Sequence, residues 1–153
     1  MTTSHDKPYP RYCGECKSES VQPTDIVYDA VVKHDGKPHS FRIDRLPIDK
    51  CTRCGEQYFT LQTDDSISSG LRTHLCLLQP EEILDQLSVL EIDQHEFATR
   101  IGTAHETLSR WLSGHTVQNR AMDNLMRVFF GLSQVREALT LNGPLSNDRQ
   151  SLC

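Results

Sequence analysis

The sequence predicts an α+β chain, with a small β-rich module first and an all-α five-helix unit after it. Three observations carry this reading: two C-x-x-C pairs in the first third of the chain, a strand–turn–strand pattern between them, and, from Pro80 onward, apolar residues recurring at three- and four-residue spacing. A length of 153 residues with 37% hydrophobic content suits two modest cores better than one large one. The pattern divides into residues 1–62 for the first module, with 1–11 expected to be flexible, 63–79 for a connecting helix, 80–141 for the helical domain and 142–153 for a flexible tail.

In the first module "CGEC" supplies Cys13 and Cys16, and "CTRCG" supplies Cys51 and Cys54. A C-x-x-C turn lets two thiolates converge on one metal. Zinc favours four such ligands in a tetrahedron, so the two pairs together predict one structural Zn²⁺ per chain. Between them "IVYDAVV" and "SFRIDRL" have strand character, the second alternating Phe41 and Ile43 with Ser40, Arg42 and Asp44. "HDGK" is a hairpin turn with Asp35-Gly36 at its centre. A module this small draws most of its folding energy from the metal. A redox-active C-x-x-C usually heads a helix in a βαβ setting, which neither motif has, and four cysteine ligands leave no open position for catalysis. Cys76 and Cys153 fall outside the pattern; Cys76 is expected to be a small buried apolar residue and His74 to lie on a helix surface.

The connecting segment repeats Ile67, Leu71, Leu75 and Leu78 at helical spacing after an acidic start at Asp64-Asp65. Pro80 resets the chain and suits the first turn of a new helix, with Glu81 and Glu82 near the positive end of its dipole. Ile83, Leu84, Leu87 and Leu90 are expected to pack that helix on the next pair. Further on, "AMDNLMRVFFGL" offers Met122, Leu125, Met126, Phe129 and Phe130 to the core, and "SQVREALTL" makes a last short helix.

The pair itself is "DQHEFATRIGTAHETLSRWLSG", Asp93 to Gly114. Phe97, Ala98 and Ile101 stand at helical spacing; after Gly102 the pattern restarts with Ala104, Leu108, Trp111 and Leu112, all expected to face inward. Thr103 and Glu106 have the spacing of a capping box, so the second helix is expected to begin directly after the turn. Its polar outer face then comprises His105, Glu106, Thr107, Ser109 and Arg110. Such a face suits either the major groove of DNA or plain solvation of a helical hairpin.

The run from Gln94 to Gly114 resembles the phage-repressor (Cro/CI, or XRE) helix-turn-helix, with its Gln-x-x-(apolar)-Ala, turn glycine and Ser-Arg-(aromatic) before a closing glycine. The resemblance implies a five-helix helix-turn-helix domain in which Gln94 touches backbone phosphate, the face from His105 to Arg110 reads bases, and Asn119 and Arg120 return to the backbone. The order of parts, two cysteine knuckles, an "L-Q-P-E-E-I" helix and then the helix-turn-helix, is similar to the MqsA (YgiT-type zinc finger) antitoxin family from Tyr12 to about Leu141. That resemblance implies a zinc module gripping an RNA-cleaving toxin, and a C-terminal half that dimerises and represses its own operon at a palindromic double-stranded operator. Leu132, Val135 and Leu139 are the residues expected at the homodimer contact.

Charge tempers the DNA reading. From Pro80 to Phe130 eight acidic residues face four arginines, a formal net of −4, so nonspecific DNA affinity is expected to be weak. Arg110 is the strongest candidate base reader, through two hydrogen bonds to guanine, while Glu106 either accepts from cytosine or caps its helix, capping being the favoured role. A protein-interaction adaptor that does not bind DNA is the competing reading. An enzyme is not expected: there is no phosphate-cradling glycine loop and no nucleophile–base set. Nor is a membrane span or a signal peptide visible, so the protein is expected to be cytoplasmic.

Overall fold

The computed structural model describes residues 7–140; the expected tail 142–153 and the first six residues of the expected flexible start lie outside them. The described chain is α+β. Four strands, β1 (Arg11–Tyr12), β2 (Glu19–His34), β3 (Lys37–Cys51) and β4 (Gln57–Tyr58), form one antiparallel sheet in the order β1-β2-β3-β4. The helices α1 (Leu61–Leu75), α2 (Pro80–Leu90), α3 (Gln94–Ile101), α4 (His105–Leu112), α5 (Arg120–Gly131) and α6 (Ser133–Ala138) follow. Two compact units divide it. The first holds the described residues up to Lys33 together with Pro38–Leu71; the second holds His34–Lys37 and the described residues from Arg72 onward.

In the first unit β2 and β3 make a long ribbon joined at Asp35-Gly36, where φ is 49° and 76°. Both values are left-handed, the geometry a two-residue hairpin needs to match the twist of its strands. The strands run well beyond the two segments expected from alternation. One face carries Ala30, Leu46 and Ile48 into the interior. The opposite face leaves Val27 and Val31 exposed, flanked by the cross-strand ion pairs Arg42–Asp29 and Arg45–Asp25, both at 2.9 Å. At Gly70 the helix α1 meets the sheet so closely that a Cβ there would lie 3.0 Å from Phe41 and 3.4 Å from Ile43.

Helix α1 begins at Leu61, ahead of the acidic start expected at Asp64. The reason is a threonine cap: Thr60 N donates to Thr63 Oγ1 at 2.9 Å, Thr63 N returns to Thr60 Oγ1 at 3.3 Å, and the Thr63 hydroxyl donates to Pro47 O at 2.6 Å. It ends at Leu75, so Leu78 is not on it. Cys76 turns left-handed, with φ 52°, and is exposed, correcting the expectation of a buried thiol; Leu77 takes the buried place instead.

The core of the second unit is Ile83, Leu87, Phe97, Ala98, Ile101, Leu108, Trp111, Met126 and Phe129, with Phe97 edge-on to Phe129 and stacked on Phe130, each at 5.2 Å. Leu84 is 39% exposed, against expectation, because it stands one residue round the helix from the Ile83–Leu87–Leu90 stripe. Three helices here begin on side-chain contacts: Gln79 N donates to Glu82 Oε2 for α2, Glu96 N to Asp93 Oδ1 for α3 and Met122 N to Asn119 Oδ1 for α5, all at 2.8 Å. The capping box expected at Thr103 and Glu106 does not form. Thr103 N is committed to closing α3 by donating to Ala98 O at 2.9 Å, after Gly102 has turned the chain at φ 76°, so α4 starts at His105 with Ala104 as its cap and exposed.

A buried polar cluster ties this unit together. Gln118 and Asp123 are fully shielded and Arg72 is 1% exposed. Arg72 Nε donates to Gln118 Oε1, and its NH2 to Trp111 O at 3.1 Å and Thr116 O at 2.7 Å. Gln118 Nε2 donates to Leu78 O and to Asp123 Oδ1, which also accepts from Leu78 N at 2.7 Å. Arg127 completes the set at 2.7 Å from Asp123 Oδ2.

Candidate metal centre and helical face

Each C-x-x-C segment folds into the same tight loop. Cys13 N donates to Ser18 O and Cys51 N to Glu56 O, both at 2.8 Å; Lys17 N returns to Cys13 O and Gly55 N to Cys51 O, both within 3.1 Å. Lys17 and Gly55 turn left-handed, with φ 58° and 81°, which aims the two sulfurs of each loop at one point. The antiparallel sheet brings the loops together: β1 pairs with the start of β2, and β4 with the end of β3.

As a result Cys13, Cys16, Cys51 and Cys54 place their four sulfurs within 4.8 Å of one another. Cys13 and Cys54 are 3.6 Å apart, as are Cys16 and Cys51. A tetrahedral ion with metal–sulfur bonds of about 2.3 Å sets its sulfurs about 3.8 Å apart, so the four thiols fit such an ion. Around them stand hydroxyls. Tyr58 Oη lies 3.3 Å from the Cys13 sulfur, Ser18 Oγ 2.9 Å from Cys16 and Ser20 Oγ 3.0 Å from Cys51. Tyr58 and Ser20 can each donate to a thiolate and fix its direction, while Ser18, whose Oγ is also 2.5 Å from Ser20 Oγ, has one hydrogen for either Ser20 or Cys16.

These contacts divide the thiols. The Ser20 hydroxyl, then the Cys54 backbone amide, pulls Cys51 down to about 5, and the Tyr58 hydroxyl lowers Cys13. At Cys54 the Glu56 backbone amide pulls downward, but burial and the three neighbouring sulfurs together push it up to about 12. Without a metal the proton is held more tightly at Cys54 than at Cys13 or Cys51, and a metal bound by the thiolates would displace it. Tyr58 and Ser20 were not singled out from the sequence; Ser20 two residues into a strand and Tyr58 in a short edge strand carry no local signature.

Fold and site define an α+β chain whose N-terminal sheet carries a four-cysteine group able to hold a metal ion; among the described residues it is the one such group. No family model matches the chain, and no curated protein matches it.

The second set of candidate residues lies on α3, α4 and the start of α5. Gln94 is the first residue of α3 and half-buried. His105, Glu106, Ser109 and Arg110 are exposed on α4, opposite the buried Leu108 and Trp111, while Thr107 is half-buried. Asn119 is occupied in capping α5. Arg120 donates from its guanidinium to Leu75 O and lies 3.7 Å from Asp123, so it already has partners within the fold. A neighbour not anticipated is His95, whose ring sits 5.8 Å from that of His105. Of the residues expected at a dimer contact, Leu132 is 49% exposed, whereas Val135 and Leu139 are packed against the core. No helix of the described residues is long and apolar enough to cross a membrane.

Proposed function

We propose that this chain is a zinc-containing transcriptional repressor that acts as the antitoxin of a type II toxin–antitoxin pair. One observation carries the reading: a four-cysteine cluster at the end of a small sheet is followed by two eight-residue helices across a glycine turn, the second bearing His105, Glu106, Ser109 and Arg110 outward. In this reading zinc holds the first unit in the shape that grips a ribonuclease toxin. The five helices from Pro80 form a helix-turn-helix domain that sets α4 in the major groove, doubled across a palindromic operator by a homodimer, with Val128 and Leu132 as exposed apolar residues available to the contact. Four cysteine ligands make the metal structural rather than catalytic.

The rival is a protein-interaction adaptor, favoured by the −4 net charge from Pro80 to Phe130 and by the internal engagement of Arg120. Affinity purification of the tagged chain from its native cell, with bound protein and DNA identified together, separates them. A small ribonuclease and DNA from upstream of the chain's own coding sequence are expected. Recovery of neither with the zinc-loaded chain sinks the repressor–antitoxin reading.

A further inference from the structure

Beside the cysteine cluster, and wholly within the first unit, two adjoining hollows of about 620 and 420 Å³ share Arg11, Asp49, Thr60 and Leu61. Their lining is acidic and aromatic at once. Asp25, Asp49, Asp64 and Asp65 face a single arginine, Arg11, and that arginine is already neutralised: its NH1 meets Asp49 Oδ2 at 3.2 Å, the other carboxylate oxygen accepts from Tyr9 Oη at 2.7 Å, and the guanidinium lies 4.3 Å over the Tyr9 ring. What remains is negative. Asp25 is paired with Arg45 at 2.9 Å, so the unpaired charge is that of Asp64 and Asp65, both exposed on the first turns of α1.

In the second hollow, with Asp64, Tyr12 is 59%, Phe59 47% and Leu61 55% exposed, so three large side chains line an open-sided groove. Exposed apolar side chains gathered in a hollow beside charged groups suit a docking surface. Carboxylates beside open aromatic faces select a cation carried on an apolar stem: the ammonium or guanidinium pairs with the acid, and the ring takes the stem or the cation face. Nucleic acid is repelled by the same charge. A second copy of this chain, with a net charge of −5, is a poor match as well.

We propose that these adjoining hollows dock a basic segment of a partner protein, one Lys or Arg entering beside Asp64, Tyr12 and Phe59 and the next basic side chain reaching Asp65 in the neighbouring hollow. The inference rests on reading the first unit as a protein-binding module and adds where and by what chemistry it binds. Because an RNA-cleaving partner must itself present positive charge to RNA, the groove suits such a partner's basic surface.

The test is a random-peptide display selection against the full zinc-loaded chain, followed by titration of the synthesised winners. Winners should carry Lys or Arg beside aromatic or aliphatic residues. Their affinity should fall at least tenfold in D64N/D65N and in F59S, with zinc content and circular dichroism unchanged, and should not move in D85N, an exposed acid on α2. Winners without basic residues, an absence of winners, winners indifferent to D64N/D65N, or self-association of the chain that D64N/D65N abolishes each overturn the proposal. A repressor without a toxin would still pass this selection, so its outcome is separable from that of the co-purification.

Discussion

Arg72 Nε donates to Gln118 Oε1 at 3.2 Å, with both side chains almost wholly shut off from solvent. The two residues lie 46 positions apart, on the last turns of α1 and just before α5. Gln118→Leu removes one acceptor of the buried Arg72, which keeps Trp111 O and Thr116 O, and takes away the Gln118 donor to Leu78 O. A loss of about 2–3 kcal/mol of stability is expected, read from urea unfolding of the full chain. A loss within error of zero means the cluster is wetter than its burial implies.

Cys51→Ser should abolish stoichiometric zinc and release the first unit from its fold, while the helical signal of residues 80–138 persists. Metal analysis and circular dichroism before and after chelation report both parts. Zinc at full stoichiometry in the variant, or complete loss of helix on chelation, contradicts this separation.

Zinc affinity should rise with pH. Binding needs four thiolates, and in the metal-free site Cys54 holds its proton up to about 12, so uptake releases protons and is opposed by acid. Cys51 behaves oppositely: its depressed value, about 5 against 9.0, favours the folded site fully above 9 and loses that benefit as pH falls through 5. Competition against a chelator at several pH values should show about tenfold tighter binding per pH unit for each proton released. A flat profile would mean the thiols are already deprotonated.

Arg110→Ala should cost about 1–3 kcal/mol at a specific operator and relax preference at one base pair per half-site, since Arg110 is exposed on the outer face of α4. Arg120→Ala should instead weaken all sequences alike and lower the salt slope by about one per half-site, with some loss of stability because Arg120 also reaches Leu75 O and Asp123. Titrations against operator and scrambled duplexes across salt distinguish the two. Wild-type binding by the first variant shifts the balance to the adaptor.

Leu132→Asp should convert a dimeric fragment from Ser69 onward, which keeps Arg72 of the buried cluster, to monomer in light scattering, since Leu132 is exposed where Val135 and Leu139 are not. If the wild-type fragment is itself monomeric at micromolar concentration, the contact lies elsewhere.

The cysteine group was legible in the sequence because C-x-x-C fixes two ligands within one turn, whatever lies between the pairs. The hairpin was legible too, since Asp35-Gly36 supplies the two positive φ values its turn requires. Helix starts were harder. Thr103–Glu106 had the right spacing, but the backbone of Thr103 was needed to end α3, a competition that spacing does not reveal. Thr60–Thr63 lacked the acidic partner of a capping box and yet caps α1. Cys76 looked like a core residue by type; only its left-handed backbone puts it outside. The Arg72–Gln118–Asp123 cluster was invisible, because its members are distant in sequence and each resembles a surface residue.

The β2–β3 ribbon has a consequence for the chain in a crowded solution. Its flanking strands are two residues long, so among the described residues much of each long strand has a ladder partner on one side alone. Such borders invite stray strands from other molecules, and two exposed valines add a sticky face. Pro23, Pro38 and Pro47 interrupt the borders with positions that lack an N–H, and Asp25–Arg45 and Asp29–Arg42 fence the valines with charge. These features oppose edge pairing along a ribbon long enough to carry the two cysteine loops at one end.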